Sequence, residues 1–305
     1  MERAIDNSKA LRALHKRHRL GAKDRRRSAG EKIAFGVAFV IFFIYALTIL
    51  YAFFWIGMSS LKTNREFYRA PLALPEQWIF RNYIEAFTAL EYNSVNMIGM
   101  IGNALWYALG STFCHLLACC MTSYVFARYN FRLKKIMYSI VILTMIIPII
   151  GGLAASYKLR YDLNLVNSPL ILLPAFSGFG MHFIILMSYF KTLSWNYAEA
   201  SFIDGGGHIK TFFSVMLPLA KAPIVALAIR CFINYWNDYY TPLLYLDKMP
   251  VLATGLYYYR LELTYRSNEP VYFAGVVMSM IPCLVLFAIF QDKIMENVTA
   301  GGLKG

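Results

Sequence analysis

The sequence has 305 residues, of which 58% are apolar or aromatic and only 15% are charged, against about a quarter charged in an ordinary soluble domain. With a mean hydropathy of +0.47, a water-soluble fold would leave far more apolar surface bare than such folds carry. A polytopic membrane protein is therefore expected instead of a soluble enzyme. The formal net charge of +13 is concentrated at the N-terminal end. The five cysteines, Cys114, Cys119, Cys120, Cys231 and Cys283, lie in apolar blocks with no C-x-x-C, and no histidine is read beside them at ligand spacing, so neither a disulfide framework nor a zinc site is expected.

Residues 1–32 form a basic tail carrying Lys9, Arg12, Lys16, Arg17, Arg19, Lys23, Arg25, Arg26 and Arg27. Such a run can mark a nucleic-acid arm. Next to an apolar block it reads as a cytoplasmic anchor on anionic headgroups, at about 1 kcal/mol per basic residue, and no nucleic-acid partner is expected. Six blocks then reach the length of roughly 20 apolar residues that a bilayer crossing needs: about 33–58, 98–121, 136–153, 169–189, 223–246 and 271–290. They are too long and too uniformly apolar for barrel strands, so the expected fold is an all-α integral membrane protein with six transmembrane helices.

Orientation follows from the retention of basic residues on the cytoplasmic side. With the N-terminus inside, the inner segments hold 20 Lys and Arg in 94 residues and the outer ones 9 in 78. Both termini are thus placed in the cytoplasm, residues 291–305 forming a short C-terminal tail.

The third inner segment, 194–222, is patterned like structure. Ser194 is a candidate helix N-cap, and Trp195, Ala198 and Phe202 fall on one face. Gly205-Gly206-Gly207 should stop that helix, because glycine accepts a left-handed turn. A second short helix from Lys210 to Leu217 should end at Pro218. The expectation is a cytoplasmic helix–turn–helix whose amphipathic side is available to a partner. The run Gly205 to Thr211 is not a phosphate loop, since Ile209 stands where glycine must precede Lys-Thr. No cofactor or nucleotide site is expected in this chain.

The spacing in this segment resembles the EAA loop of the inner-membrane permeases of binding-protein-dependent ABC importers. Glu199-Ala200-Ser201, two residues, Asp204-Gly205, nine residues and Val215-Met216-Leu217-Pro218 reproduce its intervals, with Ser201, Gly206 and Val215 as mild departures. Asn82-Tyr83, Asn103, Ser123 to Arg128, Tyr235-Trp236-Asn237-Asp238-Tyr239 with Pro242-Leu243, and Thr299 to Gly305 resemble the carbohydrate branch, in its maltose-type second subunit. The resemblance implies a permease subunit without enzymatic activity of its own, in a prokaryotic cell membrane. It implies a second homologous permease, two cytoplasmic ATPase subunits, an extracellular solute-binding protein and a sugar substrate as partners. It assigns ATPase coupling to Glu199, Ala200, Phe202, Asp204, Gly205, Leu217 and Pro218, with Glu199 facing a basic ATPase residue and Asp204 holding the turn.

Polar residues inside spans mark functional sites, because facing them to lipid costs several kcal/mol. Arg230, Asn234 and Asp238 recur at four-residue spacing on one stripe of the fifth block. Asn234, Trp236, Asn237 and Asp238 are the candidates for the translocation path, since sugars bind through hydroxyl hydrogen bonds and aromatic stacking. An ion-coupled secondary transporter using Asp238, the one acid in any block, is the alternative. His182 is expected to be a packed, hydrogen-bonded residue, and Tyr257-Tyr258-Tyr259 to lie in the last outer loop.

Overall fold

The computed structural model describes the fold of residues 29–147, 151–266 and 268–302; the basic residues assigned to the anchoring tail, from Lys9 to Arg27, lie outside these. The chain divides into two compact units, Met1–Trp55 and Ile56–Gly305. The first contains most of α1 (Ala29–Ser60), whose 31-residue apolar stretch Gly30–Ser60 has no part of its apolar window buried.

In the second unit, Ser60 leads into α2 (Asn64–Arg69), α3 (Arg81–Ala89) and a small hairpin, β1 (Glu91–Tyr92) antiparallel to β2 (Val95–Asn96). The Asn96 side chain accepts from Gly99 N–H and so caps α4 (Met97–Arg128), a 32-residue helix. After α4 come α5 (Lys134–Ile146), α6 (Leu153–Asp162), a 3₁₀ stretch at Pro169–Ala175 and α7 (Met181–Thr192). The expected coupling segment contains α8 (Asn196–Ile203), α9 (His208–Thr211), a π turn at Phe212–Met216 and α10 (Leu217–Leu219). The chain closes with α11 (Lys221–Trp236), α12 (Tyr240–Tyr245), α13 (Leu252–Arg266) and α14 (Glu269–Gly302).

Among the described residues, Gly30–Ser60, Met97–Arg128 and Glu269–Gln291 are long and apolar enough to cross a membrane, and the bent pair His208–Leu219 with Lys221–Trp236 would make a fourth. The blocks at 33–58, 98–121 and 271–290 thus coincide with continuous helices. The other three do not, for local reasons. In the 136–153 block the 13-residue helix Lys134–Ile146 ends at Ile146, and Gly152 precedes a separate helix. The 169–189 block breaks between Pro174 and Gly180, where Gly180 takes φ +121° and Thr122 Oγ1 donates to the Gly178 carbonyl at 2.6 Å. The 223–246 block stops at Trp236, because the Asn237 amide donates to the Ile233 carbonyl (2.8 Å) and Asp238 Oδ1 accepts from Thr241 N–H (3.0 Å), which starts a new helix. The stretch 247–270 is α13 for most of its length instead of a loop, and its tyrosines are packed in stacks: Tyr258 on Tyr92, Tyr257 on Tyr239 and Tyr259 on Tyr272.

α4 is the post around which the second unit is built, and it serves two cores. Its first half, from Met97 to Ala108, packs with Leu90, Trp236, Leu252 and Val271. Its second half, with Leu116, Cys120 and Tyr124, packs with Leu186, Phe190, Ala198, Phe212 and Met216. Asn103 and Asn82, singled out in the sequence, close backbone gaps: the Asn103 amide donates to Pro250 O, and that of Asn82 to both Ser60 O and Lys62 O.

Candidate coupling segment and membrane path

The segment after α7 folds as two short helices because its turn residues leave little choice. The Ser194 hydroxyl accepts from Asn196 N–H at 3.3 Å in the turn that leads into α8, but the cap position is Trp195, one residue later than expected. Glu199 lies in the first turn of α8, where a carboxylate complements the helix dipole. The far end is a Schellman motif: Gly206 N–H reaches Ser201 O (2.8 Å), Gly205 N–H reaches Phe202 O (3.0 Å), and Gly205 takes φ +78°. Asp204 is the helix C-cap with its side chain exposed, so backbone bonds, not its carboxylate, hold the turn among the described contacts. A Cβ on Gly206 would meet Ser201 O at 2.7 Å, which explains the small residue there. Ser201 Oγ pairs with Thr211 Oγ1 at 2.8 Å and pins α8 to α9.

The periodicity of Trp195, Ala198 and Phe202 is a real face, but it is turned inward, correcting the expectation that it is free for a partner. Ala198 is fully buried, and Trp195 and Phe202 pack with it against the second-half core of α4. The reason is that α4 and α7 already offer apolar surface at Tyr124 and Phe190, and burial there is the lowest-energy option. What remains outside is a different set: Glu199, Ala200, Asp204 and Gly205, flanked by Ile203 (85% exposed) and Ile209 (76%). Leu217 is half-buried and Pro218 exposed.

The expected break at Pro218 is displaced. The helix passes through Pro218 and turns at Ala220, bending by 80° into α11. Proline lacks an N–H, and it stands just where the wide π turn returns to α geometry, so no ordinary hydrogen bond is sacrificed.

α4 grips this segment at its C-terminal end. The Arg128 guanidinium hydrogen-bonds the Leu193 carbonyl and lies 5.6 Å from the centre of the Trp195 ring. The Tyr129 hydroxyl pairs with His208 Nδ1 at 2.8 Å, and the Tyr124 and Phe212 rings are 5.0 Å apart. An apolar cavity of about 500 Å³, lined by Tyr124, Val125, Ile209 and Phe213 among others, fills the remaining space.

The four candidate path residues are not gathered in one place. Asn234 is exposed on α11, as is Arg230 one turn earlier, and Asp238 falls past the end of that helix, so the four-residue stripe stops short of it. Trp236 is 3% exposed, stacks on Phe232 and donates its indole N–H to Ser279 O at 2.9 Å. With Asn237, Tyr239 and Tyr257 it borders a cavity of about 260 Å³. Asp238 borders a second cavity, of about 160 Å³, with Tyr107, Ser111, Arg160 and Tyr235. There Tyr107 O–H donates to Asp238 Oδ2 at 3.0 Å, and the buried Ser111 hydroxyl has no partner among the described contacts. Sequence reasoning missed Tyr107, Ser111 and Arg160, which carry no motif and are brought to Asp238 only by folding.

A scan of family models matches residues 116–296, more than half of the chain, to the binding-protein-dependent transport system inner membrane component. The chain belongs to this family. The matched range includes the whole α8–α10 segment and its α4 grip from Leu116 onward. Among curated relatives, the diacetylchitobiose uptake system permease protein of Streptomyces coelicolor is 27% identical over 270 residues, covering 87% of each chain. The sulfoquinovosyl glycerol transport system permease protein of Agrobacterium fabrum is 28% identical, over 84% of this chain and 89% of that one. In fold, this inner membrane component is similar to a chain in the crystal structure of a bacterial ABC transporter involved in alginate import. That likeness has a TM-score of 0.71 at 23% identity and covers 87% of this chain and 98% of that one. Family membership sets aside the ion-coupled secondary transporter built on Asp238, whose two carboxylate oxygens are in any case engaged by Tyr107 and Thr241.

Proposed function

We propose that the chain is the transmembrane permease subunit of an ATP-driven importer of a sugar or oligosaccharide. It forms half of an alternating-access path with a second homologous permease, receives its substrate from an extracellular solute-binding protein and is driven by two cytoplasmic ATPase subunits. The observation that carries the coupling role is the α8–α9 turn. Its inner face is fixed to α4, while Glu199, Ala200, Asp204 and Gly205, with Ile203 and Ile209 beside them, stand outside as a rigid, compact knob. ATPase closure would push this knob, and Arg128, Tyr129 and Phe212 would pass the displacement to α4. Phe202, Leu217 and Pro218 would act behind the knob by holding its shape.

In this reading α1, α4 and α14 are spans, and the interrupted blocks at 136–153, 169–189 and 223–246 supply the other three. The excess of Lys and Arg in the inner segments supports cytoplasmic termini and puts α8–α10 on the ATPase side. A sugar substrate is supported by those for which the relatives are named: diacetylchitobiose, sulfoquinovosyl glycerol and, at 24% identity, the maltodextrins of the Streptococcus pneumoniae permease. Trp236, Asn237 and Asp238 would serve the path through the two cavities they border, and Asn234 through the exposed side of α11, which suits contact with the partner permease.

The test is an affinity pull-down of the tagged chain from mild detergent, with co-eluting proteins identified by mass spectrometry. Recovery of an ATPase and a homologous permease is expected; elution alone or as a homodimer at every salt concentration overturns the proposal. For Asp238 the expectation rests on its hydrogen bonds, which hold the helix start beside the path. Asn caps a helix about as well as Asp, so Asp238→Asn should cost under about 1 kcal/mol and leave sugar uptake by the reconstituted importer largely intact. Asp238→Leu, which removes both hydrogen bonds, should cost about 2–3 kcal/mol and depress uptake.

A further inference from the structure

Two histidines and two cysteines that are widely separated in sequence meet where α4, α7 and α11 pack. α4 presents His115 and Cys119 one turn apart, α7 presents His182 from its first turn, and α11 presents Cys231. His115 Nε2 lies 2.9 Å from His182 Nδ1, Cys119 Sγ lies 3.6 Å from His115 Nε2, and Cys231 Sγ lies 3.7 Å from His182 Nδ1. Ligand atoms of His115, His182 and Cys231 all fall within 4.8 Å of one another, whereas Cys119 Sγ stands outside that set, in contact with His115 Nε2. Neither the coupling knob nor the cavities beside Trp236 and Asp238 use these side chains.

We propose that His115, Cys119, His182 and Cys231 form a binding site for a thiophilic divalent cation of the zinc type. A tetrahedral ion with bonds of about 2.1 Å to nitrogen and about 2.3 Å to sulfur separates its ligand atoms by roughly 3.3–3.8 Å. The two N···S distances already match, the two imidazoles need to part by only a few tenths of an ångström, and the Cys119 side chain must swing inward to complete the tetrahedron. Charge also balances, since two thiolates and two neutral imidazoles cancel a dication, and a neutral site is the kind a low-dielectric interior accepts. Arg230, next to Cys231 in the chain, adds positive charge nearby, so the second sulfur, Cys119, is needed to balance the cation. The thiolate pair selects zinc-like ions over magnesium or calcium. On binding, the Cys119 thiol gives up its proton and with it the contact to Ser177 O at 3.5 Å. Cys119 and Cys231 are buried (0% and 2% exposed), while the half-buried histidines leave an approach. A bound ion would brace α4, α7 and α11 as one body.

The experiment is a titration of the purified full-length chain, stripped with a chelator, with Co²⁺ as the spectroscopic probe. One equivalent should produce a thiolate-to-cobalt charge-transfer band together with intense visible bands of tetrahedral cobalt, and Zn²⁺ should abolish both. The Cys119→Ser/Cys231→Ser double variant should lose the charge-transfer band, whereas Cys114→Ser/Cys283→Ser should keep it. His182→Gln, at a half-buried position, should weaken Zn²⁺ binding at least tenfold and covers the case in which the double variant fails to fold. Absence of the band in the folded wild-type chain overturns the site. So does its persistence in the folded Cys119→Ser/Cys231→Ser variant, or unchanged Zn²⁺ affinity in His182→Gln.

Discussion

In an importer assembled with Gly205→Pro, substrate-stimulated ATP hydrolysis should fall to the unstimulated rate while the chain is still recovered in the membrane fraction. Proline fixes φ near −65°, whereas Gly205 requires φ +78°, and the substitution also deletes the N–H that closes the turn on Phe202 O. The Schellman turn cannot form, at a local cost of about 3 kcal/mol or more, and Ile203, Asp204 and Ile209 lose their fixed spacing. Because Gly205 is exposed and a Cβ there would meet nothing within 4 Å, the damage should not spread into the packed helices. Gly205→Ala, which meets only the backbone penalty of about 1 kcal/mol, should retain most of the stimulation. Glu199→Ala should abolish it by another route, leaving the turn intact but removing the exposed carboxylate. The readout is phosphate release with and without substrate-loaded binding protein. Wild-type stimulation in both Gly205→Pro and Glu199→Ala would show that the α8–α9 turn is not where the ATPases act.

A second large effect, on global stability, is expected far from that turn, at Lys62. Its side chain is fully buried, and its ammonium donates to Ala70 O at 2.8 Å and Pro71 O at 3.1 Å, tying down the stretch after α2. Lys62→Met keeps most of the volume but leaves both carbonyls buried without the charge-assisted donor, at about 3 kcal/mol. The predicted consequence is a fall in melting temperature on the order of 10 °C, followed as the exposure of buried thiols such as Cys119 and Cys120 to a maleimide dye. An unchanged midpoint would mean that water replaces the ammonium at no cost. Nothing in the sequence flags this lysine, which stands among polar residues and reads as an ordinary surface cation until Ala70 and Pro71 fold over it.

What could be read from the sequence follows a physical division. Long, uninterrupted apolar runs announced α1, α4 and α14, because twenty apolar residues in a row have few other options. The Gly205 turn was equally legible, since a left-handed C-cap asks for glycine locally. The breaks at Gly178–Gly180 and Asn237–Asp238 were not, because distant or side-chain partners set them: Thr122 for the first, Ile233 and Thr241 for the second. The helical face of Trp195, Ala198 and Phe202 is legible as a face, but its spacing points it at an outside partner, and only tertiary structure shows that α4 covers it. The His/Cys cluster shows both cases. His115 and Cys119 stand at the spacing of one helical turn, whereas no local pattern brings His182 and Cys231 to them.

The 80° bend at Ala220 gives α11 the mechanics of a crank. α11 has 16 residues and is about 24 Å long at 1.5 Å per residue. If it pivots rigidly at Ala220, each degree of rotation sweeps Trp236 through about 0.4 Å, so roughly 10° shifts the neighbouring cavities by about the width of a hydroxyl group and its hydrogen bond. The short arm, His208–Leu219, has 12 residues, three-quarters of the number in α11, so a given push at Ile209 is magnified only modestly at the far end. A wide π turn sits on the short arm, where compliance would absorb part of the stroke. The gearing between a small displacement at one end and a larger one at the other is thus set by where the chain turns, at Ala220, and by how tightly Phe212 to Met216 is wound.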